Sequence, residues 1–354
     1  MTSEAVSTAH STSPDSGQYW TAEGAWPVGE GIYRIPLPLP TDALKAVNVY
    51  VLETDDGLTL IDGGWAIEAA RDVLGRCLRQ LGYRFQDLRR FLVTHVHRDH
   101  YTLAAVLGSQ YDADVSLGLG ERATLEVITD PRRVGSPTAN ALRAAGAFEV
   151  ANQWPMSSAD LIDRNMWRFP DTWLDGDFTT SVGSHTLDAV HTPGHTPGHY
   201  VFAERAAGLL FAGDHVLPTI TPSIGFAMAP PPNPLGDFLA SLAKVRKLPD
   251  LTILPAHGPV APSSHRRVDE LLSFHEMRLA QSLAALAGEA ATAFAVAQQL
   301  TWTRHNKTYA ELELHSKGLA ALETKAHLEL LVVRGQANRE ESPDGVVFSA
   351  MTAS

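Results

Sequence analysis

The chain has 354 residues, of which 44% are hydrophobic, and its formal net charge is −12 at pH 7. This length allows two or three domains, and the acidic charge argues against nucleic acid as the natural partner, because nucleic-acid binding rests largely on basic side chains. Cys77 is the only cysteine, which excludes an intramolecular disulfide and fits a reducing, cytoplasmic compartment.

The N-terminal segment is rich in Ser, Thr and other small residues, and we expect residues 1–25 to form a disordered tail. It has no charged start followed by an apolar core, so we expect no secretory signal. The chain has no run of about 18 apolar residues, so we expect no membrane span and no membrane partner.

Apolar runs predict four strands in the next part of the chain, at 32–35, 47–52, 58–61 and 91–94. Residues 55–57 form a turn between the second and third of them. Asp62 follows the third strand directly. Residues 65–81 have the amphipathic pattern of a helix.

A cluster of ionisable side chains follows the last of these strands: His95, His97, Asp99 and His100. The run 101–107 after it has helical character, so the cluster lies on a strand-to-helix turn where side chains can converge. Histidine and aspartate are nitrogen and oxygen ligands that suit zinc and its neighbours. Burying so many ionisable groups is unfavourable unless a cation offsets them, so the pattern predicts a metal site rather than a polar surface loop.

Residues 109–184 form a long segment that we interpret as an insertion. It contains helix-like stretches at 121–128, 140–147 and 158–168, together with several aromatic residues. The aromatics either pack the insertion onto the rest of the fold or line a lid or cleft for an apolar acyl or aromatic substrate. The proline-rich stretch 228–234 is either the opposite wall of that cleft or a plain surface connector.

Three later strands also end in ligand-type residues. They are 185–190, which leads to His195, 209–212, which leads to Asp214, and 251–254, which leads to His257. One such residue alone is a weak signal, but several in one chain are hard to dismiss together. Further histidines flank these positions at 191, 199 and 215, and we expect them to support the site or to be solvated rather than to bind metal.

Asp62, the cluster at 95–100, His195, Asp214 and His257 follow one another in the order of the five motifs of the metallo-β-lactamase superfamily, which the chain resembles over residues 30–262. The resemblance implies an α+β fold, an αββα sandwich with a two-metal site at one edge. The residues that it assigns to the first metal are His95, His97 and His195, and those that it assigns to the second are Asp99, His100 and His257.

The resemblance also implies that Asp214 bridges the two metals and that Asp62 orients ligand histidines through hydrogen bonds. The two divalent ions would make a bridging hydroxide available near neutral pH, with Asp99 and Asp214 as the catalytic residues. A histidine at position 97 favours zinc, because related diiron proteins usually carry glutamate there; iron and manganese stay open. Tyr101-Thr102 is a departure, since many members have a glycine at the second of these positions.

After His257 the pattern changes to three helices, at 264–286, 290–300 and 318–334, and a hairpin around 343–345. This order resembles a small winged-helix-like domain, as found in the branch of the superfamily that includes β-lactamase-like protein 2 and fungal acyl-carrier-protein thioesterases. We therefore predict a catalytic domain over 26–263 and a C-terminal domain over 264–354. From residue 266 onward the chain has nine Lys and Arg against eleven Asp and Glu, which favours a packing, dimerising or cleft-shaping role over DNA binding.

The function predicted from these features is metal-dependent hydrolysis of a small activated ester, above all an acyl thioester of CoA or of an acyl carrier protein. Alternatives are a lactonase, a glyoxalase-II-like glutathione thioesterase, a single-strand endoribonuclease and a metal-stabilised binding protein without turnover. The acidic charge and the short segment between His215 and His257 argue against the nuclease, and the complete ligand set argues against the non-catalytic protein. The expected partner is a small-molecule substrate, and a homodimer stays open.

Overall fold

Two β-sheets packed face to face form the centre of the computed structural model, which describes residues 12–40, 44–133, 135–154, 166–303 and 305–351. The first sheet has seven strands in chain order: β1 (Trp26–Gly29), β2 (Ile32–Pro38), β3 (Ala46–Thr54), β4 (Gly57–Ile61), β5 (Leu88–Leu92), β6 (Asp114–Gly118) and β7 (Thr172–Leu174). The first four are antiparallel, and β4 to β7 run parallel.

The second sheet has five strands, in the order β12-β11-β10-β9-β8. They are β8 (Phe178–Val182), β9 (His185–His191), β10 (Tyr200–Glu204), β11 (Leu209–Gly213) and β12 (Thr252–Pro255). The side chains buried between the two sheets include Ile32, Leu52, Phe202 and Phe211. This apolar layer holds the two sheets together, because each sheet buries one complete face in it.

Helices cover the outer face of each sheet. On the first sheet lie α1 (Glu68–Gln80) and α2 (Arg98–Tyr111), and on the second lie α6 (Pro234–Val245) and α7 (Ser264–Ala285). Both pairs bury an apolar face against the sheet beneath it. The predicted αββα sandwich is therefore confirmed.

The segment that exceeds the sandwich is shorter than the predicted insertion at 109–184. Residues 114–118 and 172–174 are strands of the first sheet, and 178–182 is an edge strand of the second, so only the connection between β6 and β7 is extra. It contains α3 (Arg122–Thr129), α4 (Pro137–Ala144) and α5 (Phe148–Gln153). The helix predicted at 140–147 is displaced toward the N-terminus, because Ser136 caps it and Pro137 starts it. Most of the helix predicted at 158–168 lies outside the described residues.

The tail predicted over 1–25 is likewise too long. Residues 1–11 lie outside the described residues, but residues 12–25 pack against the first sheet. Asp15 accepts a hydrogen bond of 2.6 Å from the fully buried guanidinium of Arg34 on β2, and the carbonyl of Trp20 accepts another. A buried arginine needs such partners, so the sequence signal for the packing is Arg34, not the composition of the tail.

The C-terminal region contains the three helices and the hairpin that its sequence predicts. The helices are α7, α8 (Ala293–Gln299) and α9 (Leu314–Val333); the strands are β13 (Ala291–Thr292), β14 (Thr301–Trp302), β15 (Lys307–Thr308), β16 (Ala337–Ser342) and β17 (Gly345–Ala350). β13, β17 and β16 form a three-stranded sheet in that order. The assignment to the winged-helix class stays a prediction. Within the described residues, no helix is both long and apolar enough to cross a membrane.

Candidate metal centre

One edge of the sandwich gathers the ends of strands from both sheets. The loop from β5 to α2 and the first turn of α2 carry the cluster at 95–100, and the second sheet contributes His195 between β9 and β10, Asp214 after β11 and His257 after β12. The structure brings together all seven side chains predicted from the sequence as metal ligands. We call them the edge cluster.

The first half of the edge cluster consists of three imidazoles. The Nδ1 atom of His97 lies 2.9 Å from Nε2 of His95 and 3.1 Å from Nε2 of His195. Nitrogens that share a tetrahedral zinc ion at 2.0–2.1 Å are roughly 3.3 Å apart. The observed separations are close to that value, so the three rings already have the spacing of a nitrogen donor set.

The second half contains a carboxylate. Oδ2 of Asp99 lies 3.4 Å from Nε2 of His257 and 3.7 Å from Nε2 of His100. Asp214 lies between the two halves, and its oxygens divide between them. Oδ2 is 3.5 Å from Nε2 of His195, whereas Oδ1 is 3.4 Å from Nε2 of His257. A carboxylate with one oxygen toward each half has the geometry of a bridging ligand.

Hydrogen bonds at the outer nitrogens fix the direction of these rings. His195 donates from Nδ1 to the carbonyl of Ser223 at 2.8 Å, and His257 donates from Nδ1 to the carbonyl of Ala46 at 2.8 Å. A neutral imidazole that donates from Nδ1 has its lone pair on Nε2. Both lone pairs are therefore directed into the cluster, which is the arrangement that metal-binding histidines require.

Asp62 fixes the direction of the His100 ring directly and that of the His95 ring through Thr94. Its carboxylate accepts hydrogen bonds from the backbone N–H and the hydroxyl of Thr94 and from Nδ1 of His100, at 2.8 to 3.0 Å. The Thr94 hydroxyl in turn lies 3.0 Å from Nδ1 of His95. Asp62 itself has a φ of 62°, an uncommon conformation that places its side chain beneath the loop.

The electrostatic environments of the two halves differ. Burial and the neighbouring imidazoles hold the pKa of His95 well below its usual range, and burial lowers the pKa of His97 to about 3. Burial also opposes protonation of His100, but the carboxylates around it, Asp62 first, outweigh burial and raise its pKa to about 10. Burial raises the pKa of Asp99, but the imidazoles of His100, His257 and His97 together outweigh burial, so the pKa lies well below its usual value.

The donor set fits divalent cations. Nε2 of His100, Nε2 of His257 and Oδ1 of Asp214 are buried, and within the described residues they have no hydrogen-bond partner. Such atoms are costly in a protein interior unless something binds them. Five imidazoles and two carboxylates are ligands for zinc, iron or manganese rather than for calcium.

Glu121 supports the site in a way that the sequence analysis missed. It is fully buried at the end of β6, and its carboxyl accepts a hydrogen bond from the hydroxyl of Thr196, the residue after His195. A side chain at Gly118 would collide with the carbonyl of Gly198, so only a glycine lets the two loops meet. The sequence signal for this contact is the pattern Gly118-x-Gly120-Glu121 directly after a strand.

Of the histidines that flank the site, His199 is buried. Its Nε2 accepts a hydrogen bond of 3.1 Å from the backbone N–H of Asp214, and its Nδ1 lies 2.9 Å from the hydroxyl of Thr192. His199 therefore helps to place the Asp214 carboxylate. His191 contacts the carbonyl of Pro197 at 3.0 Å, in the loop that carries His195.

An aromatic cluster lies close to the site along the chain. Ser223, which holds His195, is three residues from Phe226, so their Cα atoms are at most about 10 Å apart. The Phe226 ring packs on Trp154 of the extra segment and on His315 of α9, with centroids 6.2 and 5.8 Å apart. The extra segment, the loop after Asp214 and the C-terminal region thus meet at Phe226, three residues along the chain from the Ser223 carbonyl that binds His195.

Comparisons with known proteins agree with this architecture. The sequence profile described as the Metallo-beta-lactamase superfamily matches residues 43–257. The Probable metallo-hydrolase YqjP of Bacillus subtilis is 24% identical over 313 residues, which cover 85% of this chain and 92% of that protein. The Beta-lactamase-like protein 2 homolog of Caenorhabditis elegans is 32% identical over 106 residues, which cover 30% of this chain and 33% of that protein.

Two solved structures extend the likeness to nearly the whole chain. A metallo-beta-lactamase family protein from Thermus thermophilus has a TM-score of 0.75 and 28% identity, and the match covers 91% of this chain and 99% of that one. A beta-lactamase domain protein from Burkholderia ambifaria has a TM-score of 0.81 and 25% identity, with coverage of 96% and 98%. At such coverage, most of the C-terminal region also has a counterpart in these structures.

Proposed function

Because the chain belongs to the metallo-β-lactamase superfamily of metallo-hydrolases, we propose that the edge cluster binds two divalent cations, preferably zinc, and hydrolyses an activated ester, above all an acyl thioester of CoA or of a carrier protein. The observation that carries this proposal is the position of Asp214. Its two oxygens are directed to different halves of the donor set, which is what a shared ligand of two cations needs.

Two cations held by these side chains would supply an activated water molecule for attack and would stabilise the charge that develops on the substrate oxygen. The chain's own groups position that water. Asp99 and Asp214 have side chains that are 15% and 10% exposed, so water and substrate can reach both carboxylates. Asp99 orients the water and accepts its proton, and Asp214 holds the two halves of the site together.

The preference for a thioester rests on the surroundings of the site. The aromatic cluster of Trp154, Phe226 and His315 offers an apolar wall beside the donor set, suited to an acyl chain. Helix α9 is shaped for this wall, because a side chain at Gly318 would collide with the Trp154 ring. The net charge of −12 disfavours long polyanions such as RNA, whereas a single small anionic substrate can still approach a cleft whose cations are positive.

The experiment that tests the reaction is a substrate panel with zinc-loaded and chelator-treated protein. The panel contains acetyl-CoA, octanoyl-CoA, a homoserine lactone, S-lactoylglutathione and single-stranded RNA. We expect thioester hydrolysis that chelation abolishes and zinc restores. Preferential turnover of the lactone, the glutathione thioester or RNA would replace the thioester assignment, and turnover that survives complete removal of metal would contradict the proposed mechanism.

The proposed contact between the acyl chain and the aromatic cluster of Trp154, Phe226 and His315 is tested separately by Phe226→Ala. We expect kcat/KM for octanoyl-CoA to fall roughly 10-fold, because an apolar contact of this size is lost, while kcat/KM for acetyl-CoA changes little. Phe148→Ala is the matched control, since Phe148 lies in the extra segment with Trp154 but is 40% exposed. Equal losses for both acyl chains in Phe226→Ala would mean that this wall does not contact the acyl group.

A further inference from the structure

A second group of metal-type side chains lies between two helices of the C-terminal region. His275 comes from α7, and Glu323 and His327 come from α9. One ligand atom from each of the three lies within 4.8 Å of the others. We call this group the interhelical cluster. Glu323 and His327 are four residues apart, so they lie on the same face of α9.

The hydrogen bonds of the two rings define which atoms are available. His327 donates from Nδ1 to the carbonyl of Glu323 at 2.8 Å, which leaves its lone pair on Nε2. That lone pair lies 3.2 Å from Nδ1 of His275. The separation again approaches the roughly 3.3 Å expected for two nitrogens that share a tetrahedral cation. The carbonyl that orients His327 is a usual partner of a metal-binding imidazole.

Without a cation, this arrangement is incompletely satisfied. His275 has to donate from Nδ1 to His327, and its lone pair then falls on Nε2. This Nε2 is fully buried and has no hydrogen-bond partner within the described residues, a costly situation in an apolar interior. Binding a cation at Nδ1 moves the proton to Nε2. The imidazole lies at 75° to the ring of Phe238, with centroids 5.4 Å apart, and aromatic surroundings suit an N–H better than a lone pair.

The charges around the cluster also suit a cation, with one opposing group. Burial lowers the pKa of His275 to about 3 and that of His327 to about 4, so both rings are neutral and able to donate. Burial raises the pKa of Glu323 to about 7, because it outweighs the opposite effect of the Arg278 guanidinium. Arg278 is the opposing group, but its guanidinium donates to the carbonyl of Thr301 and lies 4.4 Å above the ring of Trp302.

We propose that His275, Glu323 and His327 form a third metal site, for a divalent transition ion such as zinc, that links α7 to α9. Two imidazoles and one carboxylate favour zinc, nickel or cobalt over calcium and magnesium. The site is separate from the edge cluster and does not depend on the proposed reaction. Its role is structural. Gly318 of α9 packs against the Trp154 ring, so a cation that fixes α9 on α7 also fixes the aromatic cluster of Trp154, Phe226 and His315.

The test uses the full-length protein, stripped of metal, incubated with excess zinc sulfate and passed through a desalting column before elemental analysis. We expect His327→Gln and Glu323→Gln each to retain one zinc ion per chain fewer than the wild type. His265→Gln is the control, because His265 lies on α7 outside the cluster and should retain the wild-type amount. The difference between proteins is the readout, so the test is independent of how many ions the edge cluster holds.

A second measurement uses the wild type, so its main result does not depend on whether a variant folds. Cadmium-113 NMR of the cadmium-loaded wild type should show one resonance from a site with two nitrogens and one carboxylate, in addition to those of the edge cluster. It should persist in His257→Ala, which alters only the edge cluster. Equal zinc contents of the wild type and both Gln variants, or the absence of the additional resonance, would overturn the third site.

Discussion

The edge cluster and the interhelical cluster use the same chemical groups but position them by different means. In the edge cluster four of the five rings lie on loops and His100 lies in the first turn of α2, and the outer nitrogens of His95, His100, His195 and His257 each contact a hydrogen-bonding partner. In the interhelical cluster both rings lie on packed helices, and within the described residues only His327 has such a partner, the backbone carbonyl of Glu323.

The contrast shows two ways to prepare a donor set. A loop holds a side chain less firmly than a helix does, so most rings of the edge cluster have a hydrogen bond that sets their direction. A helix fixes Cβ positions through its own backbone, so four-residue spacing and close packing suffice for the interhelical cluster. We expect the edge cluster to bind zinc more tightly, because it has more ligands, more negative charge and better-oriented rings.

Removal of the bridge is expected to have the largest effect. Asp214→Ala deletes the one carboxylate that faces both halves of the edge cluster, so the variant should bind less metal there and lose at least about 10³-fold in kcat, more than loss of a single stabilising hydrogen bond costs. Zinc analysis and thioester hydrolysis measure the two consequences. The interhelical cluster should keep its ion.

Asp188→Ala provides the comparison for this variant. Asp188 is an aspartate of the same sheet whose ion pair with Arg205 lies at the surface, so its removal should leave metal content and kcat near the wild-type values. An Asp214→Ala protein with unchanged zinc stoichiometry would refute the bridging role, whatever its activity.

The second prediction concerns Glu121. Burial raises its pKa to about 7, as it does for Glu323 of the interhelical cluster. The ordinary value is 4.5, so folded Glu121 holds its proton more tightly than the unfolded chain does. The wild type therefore loses stability as the pH rises from 4.5 to about 7. Glu121→Gln has no carboxyl proton to lose. Its free energy of unfolding relative to that of the wild type should therefore rise across this pH range by up to about 3 kcal/mol.

Denaturant unfolding of the metal-free proteins at pH 5 and pH 8 measures this difference, with Glu340→Gln as the control because Glu340 is exposed on β16. The control should show the same difference from the wild type at both pH values. If Glu121→Gln also shows a constant difference, then Glu121 is not held protonated by burial, and its contact with Thr196 is that of an ordinary carboxylate.

The sequence predicts the edge cluster well because each ligand follows a short apolar strand. Asp214 and His257 are found in this way, and chain order pairs them with the loop at 95–100. Strand β6, by contrast, is only Asp114–Gly118, and with polar residues at two of its five positions it resembles the helical segment that follows. Its place in the sheet is decided by parallel pairing with β5, a long-range contact that local patterns do not contain.

The same reason explains the residues that the sequence analysis missed. Glu121 resembles a surface residue at a helix start, and only the approach of the loop at 196–198 buries it. Glu323 and His327 have the spacing of a metal site on a helix, but His275 lies on a different helix with the whole of α8 between them. A donor set assembled by helix packing has no local motif, whereas one assembled at strand ends does.

The smallest of the expected effects concerns Asp62, which distinguishes the two ways of positioning a ring most directly. Asp62→Asn keeps the shape but turns one acceptor oxygen into an NH₂ group that must face a donor, either Thr94 or Nδ1 of His100. Zinc affinity of the edge cluster should fall about 10- to 100-fold, measured by competition with a chromophoric chelator, while the interhelical ion is retained. Thr94→Val should also weaken zinc binding, and Thr94→Ser should not, because serine keeps the hydroxyl. If the zinc affinity is unchanged in both Asp62→Asn and Thr94→Val, then the rings of His95 and His100 are oriented without these hydrogen bonds.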